Sequence, residues 1–362
     1  MGYKVCVYAI CKNEEQFVDR WMDSMQEADL VVVTDTGSTD ETVKRLQARG
    51  AIVYTDVVKP WRFDVARNIS LSHVPDDVDI CVCTDLDELF HKGWRERLEL
   101  YWTPTTKTGN YLYNWSLKPD GTPEVQFHYF KIHSRHGHRW VHPVHEHLSY
   151  EGEGPQNKVF IPGVVLDHYP DPEKSRGSYL SLLELAVQED PQSDRMAYYL
   201  GREYFFKGQW QDCINTLIAY LKLSSATWPD ERCAAMRLLA RCYSQQRDTA
   251  NAELWFYRAV AEQPFMREPY VECAQHAYSA GNWPMTYCMC ETALRIAERS
   301  TTYVNTGYAW DHTPHDLCAI ACYRLGMYEK ARQHAEQALL ITPEDPRLKN
   351  NLMLIKRKIN MG

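Results

Sequence analysis

An α/β domain followed by an all-helical repeat domain is the fold class this sequence predicts, and three observations predict it. Over residues 1–172, short apolar runs alternate with helical patterns, as parallel strands joined by crossover helices do. Over residues 173–362 the β-branched runs almost vanish, and helical segments recur with small residues at matching places. The chain has 362 residues, and at about 150 residues per domain that length suggests two domains.

Lys4-Val-Cys-Val-Tyr-Ala-Ile10 is a continuous apolar run of strand length, leading into a helical pattern through Phe17, Trp21 and Met25. Leu30-Val-Val-Val-Thr34 reads as a second strand ending in the turn-forming run Asp35-Thr-Gly-Ser-Thr-Asp40. Residues 41–49 read as helix, 51–56 as a third strand and 79–84 as a fourth. Helix-length connections between these strands predict parallel pairing with both sheet faces covered.

The second half repeats itself. Leu200-Gly201-x-x-Tyr204, with Gly208, Trp210 and Leu217 downstream, is echoed by Leu239-Ala240-x-x-Tyr243 with Ala252, Phe256, Ala259 and Pro264. It returns as Cys273-Ala274-x-x-Ala277 with Gly281 and Ala293, and as Cys318-Ala319-x-x-Cys322 with Gly326, Ala331, Ala335, Ala338 and Pro343. Small residues at these places let the two helices of a unit approach closely, and the terminal proline stops the second. The pattern resembles the tetratricopeptide repeat, whose period is about 34 residues. Measured on Gly201, Ala240, Ala274 and Ala319 the copies are spaced 39, 34 and 45, with the surplus expected in loops, notably 300–312. Residues 349–359 supply a candidate capping helix.

Charge is uneven. Residues 1–172 carry 18 Lys and Arg against 26 Asp and Glu, whereas 173–362 carry 22 of each, so the whole formal charge of −8 sits in the first half. This argues against a generic basic nucleic-acid binder without eliminating a local basic groove. The longest apolar runs fall short of the roughly 18–20 residues that cross a bilayer, which predicts no transmembrane segment. Residues 1–10 carry Lys4 and lead straight into Lys12-Asn13-Glu14-Glu15, so no secretory signal is expected. Twelve cysteines without a single CxxC read as buried, reduced thiols, and the expected setting is cytoplasmic.

Three segments of the first half carry chemistry. Asp35-Thr-Gly-Ser-Thr-Asp40 lies at a strand end, where ligands of open α/β sheets bind; Ser38 to Glu41 would cap the following helix while Asp35 faces a ligand. Thr84-Asp85-Leu86-Asp87-Glu88 follows an apolar strand, and carboxylates at i and i+2 there can share a divalent cation with substrate phosphates. The third is a concentration of histidine. His128, His133, His136, His138, His142, His145 and His147 are seven of the chain's 14, within 20 residues. Without a cysteine pair or regular ligand spacing, a structural zinc site is disfavoured, and one or two imidazoles touching phosphate or the cation are expected instead.

Four ordered motifs then coincide: Ala9-Ile10-Cys11-Lys12-Asn13-Glu14, Ala28-Asp29 running to Asp40, Trp61-x-Phe63-Asp64-x-Ala66-Arg67-Asn68, and Asp85-Leu-Asp87-Glu88. Together they resemble family 2 glycosyltransferases of the GT-A fold, in the branch with a C-terminal tetratricopeptide array that includes peptide cysteine S-glycosyltransferases. Val144-His145-Glu146 and Asp167-His168-Tyr169 match that branch more loosely. The resemblance implies a GT-A, Rossmann-like nucleotide-sugar domain over 1–172 and helical repeats over 173–362. It implies metal-dependent, inverting transfer of a sugar from a nucleotide diphosphate, with a UDP-sugar favoured and Mn²⁺ or Mg²⁺ as cofactor.

By the same resemblance, Ala9 at the first strand end and Asp35 would hold the base, and Arg67 would lie beside base or ribose. Asp85 would contact ribose and metal, Asp87 metal, and His168, then His145, would supply a further metal or pyrophosphate contact. The proton acceptor would be Glu146, with Glu88 as the other carboxylate. A single carboxylate at Asp35-Thr36 replaces the commoner acidic pair, which leaves the base less firmly read.

The acceptor stays open between a protein or peptide side chain gripped by the repeats, a glycan, a lipid-linked group and a nucleobase, and so does homo-oligomer formation. A sugar nucleotidyltransferase is disfavoured because no Gly-rich phosphate loop follows the first strand. A non-catalytic repeat scaffold with a degenerate transferase domain is disfavoured by the intact Asp85/Asp87 pair and Arg67-Asn68.

Overall fold

A computed structural model describes residues 2–172 and 177–360, which divide between Asp190 and Pro191 into two compact units. Residue 173, where the sequence places the start of the helical half, lies outside the described residues. No helix among the described residues is long and apolar enough to cross a membrane. All twelve cysteines are free thiols, and only Cys288 is exposed.

The first unit opens with β1 (Val5–Cys11), α1 (Val18–Met25), β2 (Leu30–Asp35), α2 (Thr42–Ala48), β3 (Ile52–Thr55), α3 (Phe63–Ser72) and β4 (Ile80–Cys83). Every residue of β1 and β4 is buried, as expected of parallel strands covered on both faces. It continues with β5 (Glu88–Phe90), α4 (Trp94–Tyr101), β6 (Thr108–Leu117), β7 (Pro123–Ser134), β8 (His138–Val141), β9 (His147–Tyr150), β10 (Lys158–His168) and α5 (Tyr179–Glu189).

Eight strands form one sheet in the order β3-β2-β1-β4-β7-β6-β10-β5, and β8 and β9 form a separate antiparallel ribbon. The four strands read from sequence are its parallel half, and β7 and β5 enter antiparallel, which makes the sheet mixed. One core lies around Val5, Val7, Trp21, Met25, Leu46, Leu86, Trp94, Tyr111 and Ile161, and a second around Tyr8, Leu71, Cys81 and Trp140.

The second unit consists of helical hairpins: α6 (Asp194–Phe206) with α7 (Trp210–Tyr220), α8 (Pro229–Gln245) with α9 (Thr249–Glu262), α10 (Glu268–Ser279) with α11 (Trp283–Arg295), and α12 (Thr313–Arg324) with α13 (Tyr328–Ile341). Helix α14 (Pro346–Asn360) packs on α13 as the final element. The small residues sit where the helices meet: Ala240, Ala274 and Ala319 are buried, and a Cβ on Gly201 would stand 2.4 Å from Leu217 Cδ2 and 2.6 Å from its Cγ. Leu217 is itself fully buried and has no room to turn away. A Gly201→Ala change gains about 1 kcal/mol of helix propensity but overpacks a closed contact at a cost of about 1–3 kcal/mol. Net destabilisation is expected, read as a lower urea midpoint; a higher midpoint would show that the hairpin opens freely.

The segment 300–312 does not hang from the array as a loop. Tyr303 stacks on Tyr199 of α6 and bonds Glu231 of α8, and the Val304 carbonyl accepts Arg237 Nη1 of α8 at 3.2 Å. Further on, Thr306 N and Trp310 Nε1 donate to Glu268 of α10 at 3.2 and 3.0 Å, and Tyr308 donates to Glu272. The segment therefore lies across the first helices of three successive hairpins. Beneath it, Arg237 and Glu272 form a buried ion pair.

Candidate active site

The motif loops are knitted to one another by hydrogen bonds from main-chain N–H groups to side-chain oxygens. Asn13 adopts a left-handed φ of 54°, a conformation asparagine tolerates better than most residues, and its Oδ1 accepts Thr39 N at 2.7 Å. Ser38 Oγ accepts Asn13 N at 2.8 Å in return. Asp35, at the end of β2, turns its carboxylate onto Gly37 N and Ser38 N at 3.1 Å, so this buried group closes its own turn. Helix α2 is not capped by Ser38 or Thr39. Instead Asp40 Oδ1 accepts Thr42 N at 3.0 Å, because Ser38 is committed to Asn13. The Ala9 carbonyl accepts Ser70 Oγ of α3 at 2.9 Å, which joins β1 to the helix that carries Arg67.

Arg67 lies on the buried face of α3, its side chain 5% exposed. Its guanidinium donates to Asp85 Oδ1 at 2.8 Å, to Glu146 Oε1 and to Cys83 Sγ at 3.3 Å, and it lies over the Trp140 ring. Asn68, one residue on, bonds both the N–H and the carbonyl of Trp140 and ties the β8 ribbon to α3. Lys131 on β7, which the sequence reading did not single out, reaches the same place. Its ammonium donates to Asp85 Oδ2 at 3.1 Å and to Glu88 Oε1 at 3.3 Å, and lies over Tyr129. The signal was present, since Lys131 is the only charged residue between Val125 and Ser134.

Asp85 thus stands between two buried cations, which hold its carboxyl far below the usual range despite the opposing effect of burial. The same carboxylates keep Arg67 and Lys131 protonated against their own desolvation. Glu88, 2% exposed, accepts Asp85 N at 2.8 Å and Tyr113 Oη–H at 2.9 Å. Burial first, then the charges of Asp85 and Asp87, push its carboxyl upward against the pull of Lys131.

Asp87 faces a different partner, His168 at the end of β10, with Oδ2 3.5 Å from Nε2. His168 Nδ1 donates to the Trp115 carbonyl at 3.1 Å, and the ring stacks on Trp115. That bond assigns the Nδ1 proton and turns Nε2 toward Asp87. Burial disfavours the imidazolium, but the Asp87 hydrogen bond and the Asp87 and Glu88 charges outweigh it, and the His168 pKa is raised. Around this point four carboxylates, Asp85, Asp87, Glu88 and Glu146, meet two permanent cations. The Asp87–His168 pair therefore favours a further positive charge, seen in the raised pKa of His168, and its two side chains could hold a metal ion. The Asp87 carboxylate is an oxygen ligand of the kind Mn²⁺ and Mg²⁺ take, and diphosphate oxygens could complete the shell with the His168 nitrogen at its border. Both Asp85 oxygens already serve Arg67 and Lys131.

The histidine run disperses. His145, at a left-handed φ of 49°, meets Tyr179 edge-on with centroids 5.9 Å apart, and His142 pairs with His147 at 5.2 Å. His133 is fully buried with Nε2 2.8 Å from Tyr8 Oη, and Tyr8 in turn accepts Trp140 Nε1. Burial and the neighbouring His138 lower the His133 pKa to about 3, and burial lowers that of His138 to about 4. Both fold as neutral imidazoles. Their stabilisation is complete above the unfolded value of 6.5 and is lost as the pH falls toward those folded values. The urea midpoint of the first unit is expected to fall from pH 6.5 to 4, and to fall less steeply in His138→Gln. A flat profile would contradict neutral burial.

Residues 6–140 match the family model described as glycosyl transferase family 2. The chain carries a family 2 glycosyltransferase domain. No curated protein matches the sequence. Similar solved structures include the APC/C hetero-tetramer Cut9–Hcn1, at 13% identity and TM-score 0.39 over 50% of this chain and 33% of that one. MamA follows at 16% identity and TM-score 0.39, over 49% of this chain and 97% of that one. Yeast Tom70 matches at 15% identity and TM-score 0.39, over 52% of this chain and 37% of that one. The chain thus spans about a third of the Cut9–Hcn1 chain it matches. The helical-repeat architecture rests on the hairpins themselves. In the glycosyltransferase domain, the sequence-selected residues Arg67, Asp85 and Glu146 meet directly, Glu88 joins them through Lys131, and Asp87 pairs with His168.

Proposed function

We propose that the chain is a metal-dependent, inverting glycosyltransferase that takes its sugar from a nucleotide diphosphate, with a UDP-sugar as the favoured donor. The observation that carries this reading is the Asp87–His168 pair beside the Arg67–Asp85–Lys131 network, just beyond the carboxyl end of β4. Asp87 and His168 would hold Mn²⁺ or Mg²⁺, and the bound cation would offset charge on the leaving diphosphate. Asp85, held by two cations, would orient toward ribose, and Ala9 and Asp35 would border the base. His145 would lie on the diphosphate side of the site.

For the acceptor's proton we assign Glu146 in preference to Glu88. Glu88 is spent on Asp85 N, Tyr113 and Lys131, whereas Glu146 gives one oxygen to Arg67. The repeats, with the transferase domain over 1–172 and the repeat domain over 173–362, favour a protein or peptide acceptor, because stacked hairpins offer extended surfaces. Twelve free thiols support a cytoplasmic setting.

The test is a panel of nucleotide sugars with Mn²⁺, followed by release of nucleoside diphosphate. One donor is expected to be turned over, and Glu146→Gln should lower kcat about 10²–10⁴-fold while donor binding persists. Release from no donor under any metal, or an unchanged kcat in the variant, would remove the reading or the assignment respectively.

A further inference from the structure

A second cluster of metal-ligating side chains lies in the repeat unit, far along the sequence from the transfer chemistry. Cys318 and Cys322 are one turn apart on α12 and share a face, and His334 projects from α13. One donor atom from each lies within 4.8 Å of the other two. Glu291 of α11 extends the group, with Oε1 2.9 Å from His334 Nε2 and 3.8 Å from Cys318 Sγ. His315 Nδ1 closes the far side, 3.1 Å from His334 Nδ1.

We propose that Cys318, Cys322, His334 and Glu291 form a tetrahedral site for a divalent cation of the zinc class, which fastens the last two hairpins together.

The donor types select the ion. Two thiolates with an imidazole and a carboxylate suit a borderline-soft cation, whereas Mg²⁺ and Mn²⁺ prefer oxygen, so this site and the transferase site call for different metals. Zn–S bonds of about 2.3 Å and Zn–N bonds of about 2.0–2.1 Å would draw the donors together by about 1 Å, within reach of side-chain rotation. Binding M²⁺ expels both thiol protons to solvent and leaves two thiolates on the metal. An entry path exists: the two thiols are buried, but His334 and Glu291 are 15% and 29% exposed. An ordinary repeat core needs only small apolar residues where α11, α12 and α13 meet. Four donors from three helices converging there is what a clamp requires.

The test uses the full-length chain, stripped with chelator and titrated with Co²⁺ as a spectroscopic stand-in for Zn²⁺. One equivalent should bind with a thiolate-to-cobalt charge-transfer band, be displaced by Zn²⁺, and raise the melting temperature. Cys318→Ser and Cys322→Ser should abolish the band. His334→Gln, at a partly exposed position that tolerates change, should weaken binding at least tenfold, and Cys273→Ser, in another buried cluster, should leave it intact. Absence of a thiolate band in the wild-type chain would overturn the proposal, as would equal binding by wild type and His334→Gln.

Discussion

Replacing Lys131 with Met is expected to destabilise the first unit by about 3–5 kcal/mol at neutral pH, the usual cost of removing one partner from a buried ion pair. The ammonium faces Asp85 and Glu88 at once. Asp85 would keep Arg67, but Glu88 would be left 2% exposed with only Asp85 N and the Tyr113 hydroxyl as partners. Without the cation, the Glu88 carboxyl, already pushed up by burial, rises further and takes a proton. A folded pKa above the unfolded value stabilises at low pH and loses that effect as pH rises through it, so the penalty should be smaller near about pH 5 than near about pH 8. Urea midpoints of wild type and variant at the two pH values decide the matter. A penalty of equal size at both would mean that Glu88 is not the group left stranded.

Asp87→Ala should abolish function with little effect on the fold. Its side chain serves only His168 among the contacts described above, so its removal deletes a carboxylate without opening the core. If Asp87 carries the cation, release of nucleoside diphosphate should drop about a thousandfold, equivalent to about 4 kcal/mol of transition-state stabilisation. Calorimetric Mn²⁺ binding in the presence of nucleoside diphosphate should vanish with it, while the melting temperature stays near that of wild type. Turnover insensitive both to chelator and to the substitution would rule out the metal-dependent reading.

The sequence carried the parallel half of the sheet well because strands buried on both faces must be continuously apolar, and Val5–Cys11 and Ile80–Cys83 are. Between Glu88 and His168 it revealed little. Strands β6, β7 and β10 mix buried and wet positions, break register at bulges and find partners far away in sequence, so no local pattern marks them. The same physics hid Lys131: a lysine inside an aromatic strand acquires its meaning only when β7 is laid beside β4. Asp35 was legible as a strand-end carboxylate, but its commitment to Gly37 and Ser38 depends on loop geometry that composition does not encode. In the repeats, Cys318 and Cys322 read as small-residue positions. What distinguishes them is His334 on the next helix, a relation that exists only after the hairpin closes.

Stacks of helical hairpins ordinarily behave as one-dimensional chains, in which each unit feels only its neighbours and unfolding frays inward from an end. Residues 300–312 give this array a dimension such stacks lack. A segment leaving α11 touches α6, α8 and α10 before entering α12, so it adds contacts that skip over hairpins, and several end on charged groups such as Glu231, Arg237 and Glu268. Loss of the first hairpin then strips partners from the segment that leads into the last. Cooperativity in this unit therefore comes from a cross-brace as well as from stacking, and the longer mean sequence separation of its contacts slows folding in exchange for resistance to end-fraying.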